Sequence, residues 1–175
     1  PLETRHMRNI TIRLTALAAF LSLAACAQKP LEIPTGQPSF YLSMASREAR
    51  VDTVAARDLI SIYRRNNGLS TVSLDPLLQA EAQKQAEAMA AANSMSHEVR
   101  ASLQVRLDGS GLGHTTAVEN ISAGYHTLAD AISGWRNSRP HNENLLNGKM
   151  RRMGIASAYA PGTKYKVFWA LVMSD

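Results

Sequence analysis

The last fifth of the chain constrains the fold most. "MGIASAY" (153–159) and "YKVFWALVM" (165–173) flank "APGTK", a Pro-Gly turn signal. Together they read as a hairpin of two strands, the second apolar enough to be central in a sheet. Everything upstream with a clear period is helical instead. From Ser46 to Asn67, apolar residues Val51, Val54, Ala55, Leu59, Ile62 and Tyr63 recur at spacings of three and four. Ser46 can cap that helix and Gly68 can end it. In "SLDPLLQAEAQKQAEAMAAANS" Asp75 caps a second helix, with Pro76 at its first position and a body of strong helix formers. Its inner stripe, Leu78, Ala82, Gln85/Ala86 and Met89, is mostly small and suits close packing on a neighbour. "TLADAISGWRNS" is a third helix, capped by Thr127, with Leu128, Ala131, Ile132 and Trp135 on one face. Helices first and strands later predict an α+β layer structure.

The 175 residues suffice for one domain with a proper core. The N-terminal part belongs to a different kind of segment. Met7 opens "MRNITIRLTALAAFLSLAAC", with Arg8 and Arg13 before an apolar run from Leu14 to Ala25. That is the pattern of a secretory signal peptide, and the run is short for a membrane span. "PLETRH" before Met7 has no place in such a signal. The run ends in Leu23-Ala24-Ala25-Cys26, which resembles the bacterial lipobox, whose cysteine becomes the acylated first residue of a lipoprotein. Cys26 is the single cysteine of the chain, so it has no internal disulfide partner. An ordinary cleaved signal with an accidental cysteine is the competing reading. Acylation, palmitate included, would anchor the protein to a membrane without spanning it. Ala27 follows the cysteine; in a Gram-negative cell that would direct a lipoprotein to the outer membrane. Residues 26–45, with Pro30, Pro34, Pro38 and Gly36, then read as a lipidated cysteine and an extended tether. The expected organisation is a leader over 1–25, this tether, and a folded domain over 46–175.

Charge excludes one class of partner. The formal net charge is +5, but from Cys26 onward 16 Lys and Arg stand against 13 Asp and Glu, an excess of three without clustering. No nucleic-acid stripe can be drawn from that. "GKMRRMG" is a short basic turn that an anionic envelope polymer or lipid headgroup could use.

Three acid–base candidates lie outside the apolar stripes. "MSHE" places His97 just after the second helix, and "AVENISAG" places Glu119 in a short apolar segment where a carboxylate should be solvated or paired. "WRNSRPHNENLL" (135–146) places His141 after Pro140, which should put it just past the third helix. No zincin helix, G-x-S-x-G elbow or P-loop occurs; "DGSGLGHTT", with His114, and His126 read as loop. Spacing alone favours a surface or hydrogen-bonded loop residue for each histidine over a site residue.

Taken in order, "LDPLLQAEAQKQAEAMAAANSMSH", "ENISAG", "WRNSRPHNENLLNGKMRRMGIASAY" and "VFWALVMSD" resemble bacterial members of the CAP superfamily (the SCP/PR-1/antigen-5 domain). The resemblance spans about residues 55–175. It implies a three-layer α–β–α sandwich with a small, mostly antiparallel sheet, and a central cleft reported to bind divalent metal in some members. By correspondence, His97 is the first cleft histidine, Glu119 the glutamate of "ENI", and His141 the second histidine. Animal and plant members commonly carry another glutamate three residues after the helix tryptophan; here that position is Ser138. Two imidazoles and a carboxylate suit Zn²⁺ or another borderline cation. They equally suit a metal-free network in which Glu119 orients one ring. Should the protein be an enzyme, the same three residues are the catalytic candidates. The leading expectation is an exported, lipid-anchored envelope module that binds a lipid, peptide or envelope-polymer ligand. A metal-dependent hydrolase of envelope peptide or glycan is the alternative, and an inert structural lipoprotein a third.

Overall fold

The computed structural model describes residues 36–113 and 115–175. The expected signal sequence, Cys26, the first part of the expected tether and His114 lie outside the described residues. The described chain runs α1 (Thr53–Asn66), β1 (Ser73–Leu74), α2 (Pro76–Ala92), α3 (Leu103–Asp108), β2 (Ala117–Ala123), α4 (Leu128–Asn137), α5 (Arg139–Leu145), β3 (Arg152–Tyr159) and β4 (Val167–Ser174). The four strands form one mixed sheet in the order β1-β3-β4-β2. The β3–β4 and β4–β2 pairs are antiparallel, and the short β1–β3 pair is parallel. β4 is therefore central, as its unbroken apolar run requires, and every one of its residues is buried.

Helices cover both faces. On one face Val167, Trp169, Leu171 and Met173 of β4 join Met153 and Ile155 of β3 beneath Ala56 and Ile60 of α1, Trp135 of α4 and Leu145 of α5. On the other, Phe168, Ala170 and Val172 join Ala156 and Ala158 beneath Leu78, Ala82, Ala86 and Met89 of α2. The period of two along each strand deals alternate side chains to the two cores. Small residues face α2 on both sides. Gly154 marks the closest approach: a Cβ there would run into the backbone of Leu78 and Gln79. The result is the expected α–β–α sandwich.

The assignment of α1 shifts in two respects. α1 starts at Thr53 instead of near Ser46, because the Asp52 carboxylate accepts from Ala55 N at 2.9 Å and makes the stronger cap. Its buried face also rotates: Val54 and Ile62 are exposed, while Ala56, Ile60, Ser61 and Arg64 are buried. Arg64 is tolerated there because its guanidinium donates to the carbonyls of Ser70, Leu145, Asn147 and Met150 at 2.7–3.0 Å. Burial, with Arg151 nearby, lowers its pKa from the usual arginine value. The packed unit also begins before Ser46. Phe40 and Ala45 pack against the first core, Met44 is buried in it, and Met44 N donates to His126 O at 2.7 Å. The C-terminal part of the expected tether is thus folded onto the domain.

Candidate functional site

Pro140 does not expel His141 from helix; it starts a new one. Ser138 is extended, as the residue that caps a helix start is, and α5 begins at Arg139 with Pro140 in its first turn. A missing N–H costs nothing there, since the first helical N–H groups lack intrahelical partners anyway. His141 therefore sits in the first turn of a second short helix, a correction to its expected loop position. Two asparagines lock α5 onto β2. Asn120 Nδ2 donates to His141 O at 3.0 Å, and Asn144 Nδ2 donates to Asn120 Oδ1 at 2.9 Å and to Glu119 O at 3.2 Å. Tyr63 of α1 donates its hydroxyl to Asn142 Oδ1 at 2.7 Å. Each polar letter of "HNEN" except Glu143, which pairs with Arg139 in solvent, thus has a positioning partner.

Glu119 projects from β2 to the α2 side of the sheet. Its side chain is 2 % exposed, and both oxygens are engaged. Oε2 meets His97 Nδ1 at 2.7 Å, and Oε1 accepts from Arg106 of α3 at 2.8 Å. Arg106, itself 2 % exposed, also donates to Glu81 of α2 at 3.0 Å, and Arg100 reaches the same Glu81 oxygen at 2.7 Å. A buried carboxylate is costly unless paired, and this chain of alternating charges satisfies both acids. The backbone at His97 is held as well, since Gln85 Nε2 donates to Ser96 O at 2.9 Å and His97 O at 3.3 Å. Half of the His97 ring is exposed, so the pair presents its outer edge to solvent.

His141 Nδ1 lies 2.9 Å from Ser138 Oγ. Burial lowers its pKa below the usual 6.5, and the proximity of His97 lowers it further. The two rings are electrostatic neighbours, and His141 favours its neutral form. Ser138, the departure from the animal and plant pattern, supplies a neutral hydrogen-bonding group where a carboxylate would instead favour the charged ring. Beside His141 opens a cleft of about 230 Å³, lined among others by Met95, Ile121, Ser122, Tyr125, Trp135 and Ser138. Gly134 lets Tyr125 pack there, because a Cβ would meet the tyrosine ring. Ser122 Oγ is buried with no hydrogen-bond partner among the described residues.

The fold thus brings the three expected residues around the β2 edge, with the Glu119 carboxylate between His97 and Arg106. Among the described residues no group of three or more His, Cys, Asp or Glu is arranged to hold a metal ion. Glu119 pairs with His97 and Arg106, the metal-free arrangement in which a carboxylate orients an imidazole. The donors left outward are imidazole nitrogens. Glu81 and Arg106 escaped the sequence reading. Glu81 had a signal, an acid between Leu78 and Ala82 on the inner stripe of α2; Arg106 had none, because α3 has only six residues and no visible period.

The domain has wide structural kinship. An extracellular SCP-domain protein from Bacillus anthracis superposes with a TM-score of 0.60 at 28 % identity, over 69 % of this chain and 39 % of that one. An outer surface protein of Borrelia burgdorferi shares the fold at 17 % identity and a TM-score of 0.63, over 73 % and 97 % of the two chains. The uncharacterised membrane protein YlbC of Bacillus subtilis is 27 % identical over 157 residues, 86 % of this chain and 45 % of its own length. The uncharacterised YkwD of the same organism is 27 % identical over 100 residues, 56 % of this chain and 39 % of its own. The chain spans less than half the length of these two curated relatives. The family model described as CAP, the cysteine-rich secretory protein family, matches residues 57–173, and the chain belongs to that family.

Proposed function

We propose that this is an exported CAP-domain module of the bacterial cell envelope, anchored through acylated Cys26, whose cleft beside His141 binds a ligand with an apolar body and a hydrogen-bonding head. The observation that carries the reading is Ser122. Its hydroxyl is buried without a partner among the described residues, at a cleft that also presents Ser138 and His141. An orphaned hydroxyl is costly, and a χ1 rotation that turns it into the cleft would let a ligand polar group satisfy it. Met95, Ile121 and Trp135 supply the apolar wall. A neutral His141 offers hydrogen bonding without attracting a formal charge. Kinship with an extracellular protein supports export, and the "LAAC" sequence supports the anchor.

The carboxylate-oriented His97 favours a second reading, a metal-dependent hydrolase of envelope peptide or glycan. Buried carboxylates orient metal-binding imidazoles in this manner. His97 and His141 would be the residues to hold Zn²⁺, which would supply Lewis-acid chemistry. Catalytic zinc usually takes three protein ligands, and the engagement of Glu119 leaves two, which places binding ahead of hydrolysis.

Trp135 reports on the cleft. Titrating the full chain with a lysophospholipid and with a muramyl dipeptide should give a saturable fluorescence change for one of them, abolished by Ser122→Val and by Trp135→Phe. No saturation with either would sink the ligand-cleft reading. Parallel Zn²⁺ titrations separate the hydrolase: tight binding lost in His97→Ala and His141→Ala, with turnover, would replace the proposal. Cys26→Ser should abolish incorporation of labelled palmitate.

A further inference from the structure

The opposite edge of the sheet carries a second, larger groove. Register places the N–H and C=O of Gly154, Ala156 and Ala158 toward β4, so those of Met153, Ile155, Ser157 and Tyr159 point outward. The chain covers the first two. Asp75 N donates to Met153 O at 3.0 Å, and the Gln79 amide pairs with Ile155 in both directions, at 2.8 and 3.0 Å, as a neighbouring strand would. Coverage then stops: Ser157 and Tyr159 have no such outer backbone partner among the described residues. Beside them lies a groove of about 450 Å³ between the segment before α1 and the exposed face of α2. Its two walls differ in charge. Arg47 and Arg50, both exposed and without an ion pair among the described residues, stand on one side; Gln83 and Glu87 stand on the other.

We infer that this groove docks an extended peptide as an added strand on Ser157–Tyr159, with carboxylate side chains on alternate residues facing Arg47 and Arg50. An open sheet edge is a template for strand addition. Because the side chains of a strand alternate, one face of the added strand meets the arginines and the other meets Gln83 and Glu87. Glu87 repels carboxylates on its own side, so the charge asymmetry selects the peptide's facing as well as its composition. Gln79 sets the limit of the site, since it occupies the position where the added strand would otherwise continue. Nothing in this docking depends on the cleft beside His141.

The probe is a fluorescent hexapeptide alternating glutamate and threonine, titrated against the full chain by anisotropy, with a lysine–threonine peptide as control. The glutamate peptide should bind at least tenfold more tightly than the control and slow hydrogen exchange at the Ser157 and Tyr159 amides. Ser157→Pro removes an outward donor without touching the β4 ladder, and should weaken binding at least tenfold. Arg47→Glu/Arg50→Glu changes exposed side chains, losing only the local bonds from Arg50 Nη1 to the Arg47 and Ala49 carbonyls, and should reverse the preference toward lysine. It decides the question even if the proline variant folds poorly. No binding, equal binding of the two peptides, or exchange protection confined to the residues around His141 would each overturn the inference.

Discussion

The two edges of the sheet are finished differently. At β2 the outward carbonyls of Glu119 and Ile121 accept from Asn144 Nδ2 at 3.2 Å and from Trp135 Nε1 at 3.4 Å. Helices α4 and α5 thus close that edge with side chains, and the same side chains bring His141 around it toward His97. At β3 the short β1 and Asp75 cover Arg152 and Met153, one glutamine covers Ile155, and only Ser157 and Tyr159 face a groove. An edge closed by long-range side chains becomes a rigid support for a small cleft. An edge closed in part leaves main-chain groups available for a partner.

The sharpest way to break the closed edge is from beneath. Arg106→Met leaves Glu81 without its buried partner and Glu119 with only His97. It should destabilise the fold by about 3–5 kcal/mol, measured by urea denaturation, as removal of one partner from a buried ion pair does. The imidazole resonances of His97 should change with it. Arg64→Met should cost a comparable amount but leave those resonances in place, since Arg64 serves only backbone carbonyls. An unchanged His97 spectrum in Arg106→Met would mean that the Arg106–Glu119 pair does not position the ring.

Asn144→Ala tests the closure itself. It removes two hydrogen bonds between α5 and β2 and should cost about 1–3 kcal/mol, with increased hydrogen exchange in α5. Gln79→Ala is the counterpart at the open edge, with an expected loss of about 1 kcal/mol, because solvent can reach the uncovered Ile155 backbone. It should also lengthen the open edge and tighten strand addition there. If both asparagine and glutamine variants cost nothing, side-chain closure of edges is irrelevant to this fold.

The smallest effect is in pH. His141 has a folded pKa below 6.5, so below about pH 6.5 the unfolded chain binds the extra proton first. Stability should therefore fall as pH drops through that range and be unaffected above it. His141→Asn should remove this slope. The carboxylate slopes lie lower: Asp52 is held below its usual 3.8 chiefly by the Ala55 N–H. Burial pushes the Asp75 value up, but the Leu78 and Leu77 N–H groups and Arg152 outweigh it. Those contributions are lost only as pH falls below about 3.8. A slope near pH 6 that survives in His141→Asn would assign it to another group.

Local rules made part of this legible in advance. Asp75 and Thr127 are read as caps because a side-chain oxygen three residues before a free N–H has one obvious use, and both make that bond. The apolar run of β4 is central because nothing else can bury it. Motif order placed His97, Glu119 and His141 at one site, and the fold brings them around one strand edge. What failed was local evidence overruled by distant groups. Val54 and Ile62 should have been core by hydropathy, but Arg64, fixed by carbonyls some eighty residues away, set the rotation of α1. Glu119 reads as a metal ligand or as the group that orients an imidazole; it does orient His97, and the Arg106 bond to its other oxygen had no local signal.

The sequence by itself determined the α+β class, the central strand and the caps of α2 and α4, because these follow from periodicity and capping chemistry, and the family resemblance singled out His97, Glu119 and His141. Only the tertiary structure decided what those residues do to one another. The pairing of Glu119 with Arg106, the helix that Pro140 starts and the exposed half of the β3 edge all depend on contacts between segments remote in sequence. Hydrogen bonds and burial there are set by three-dimensional proximity, which no local pattern encodes.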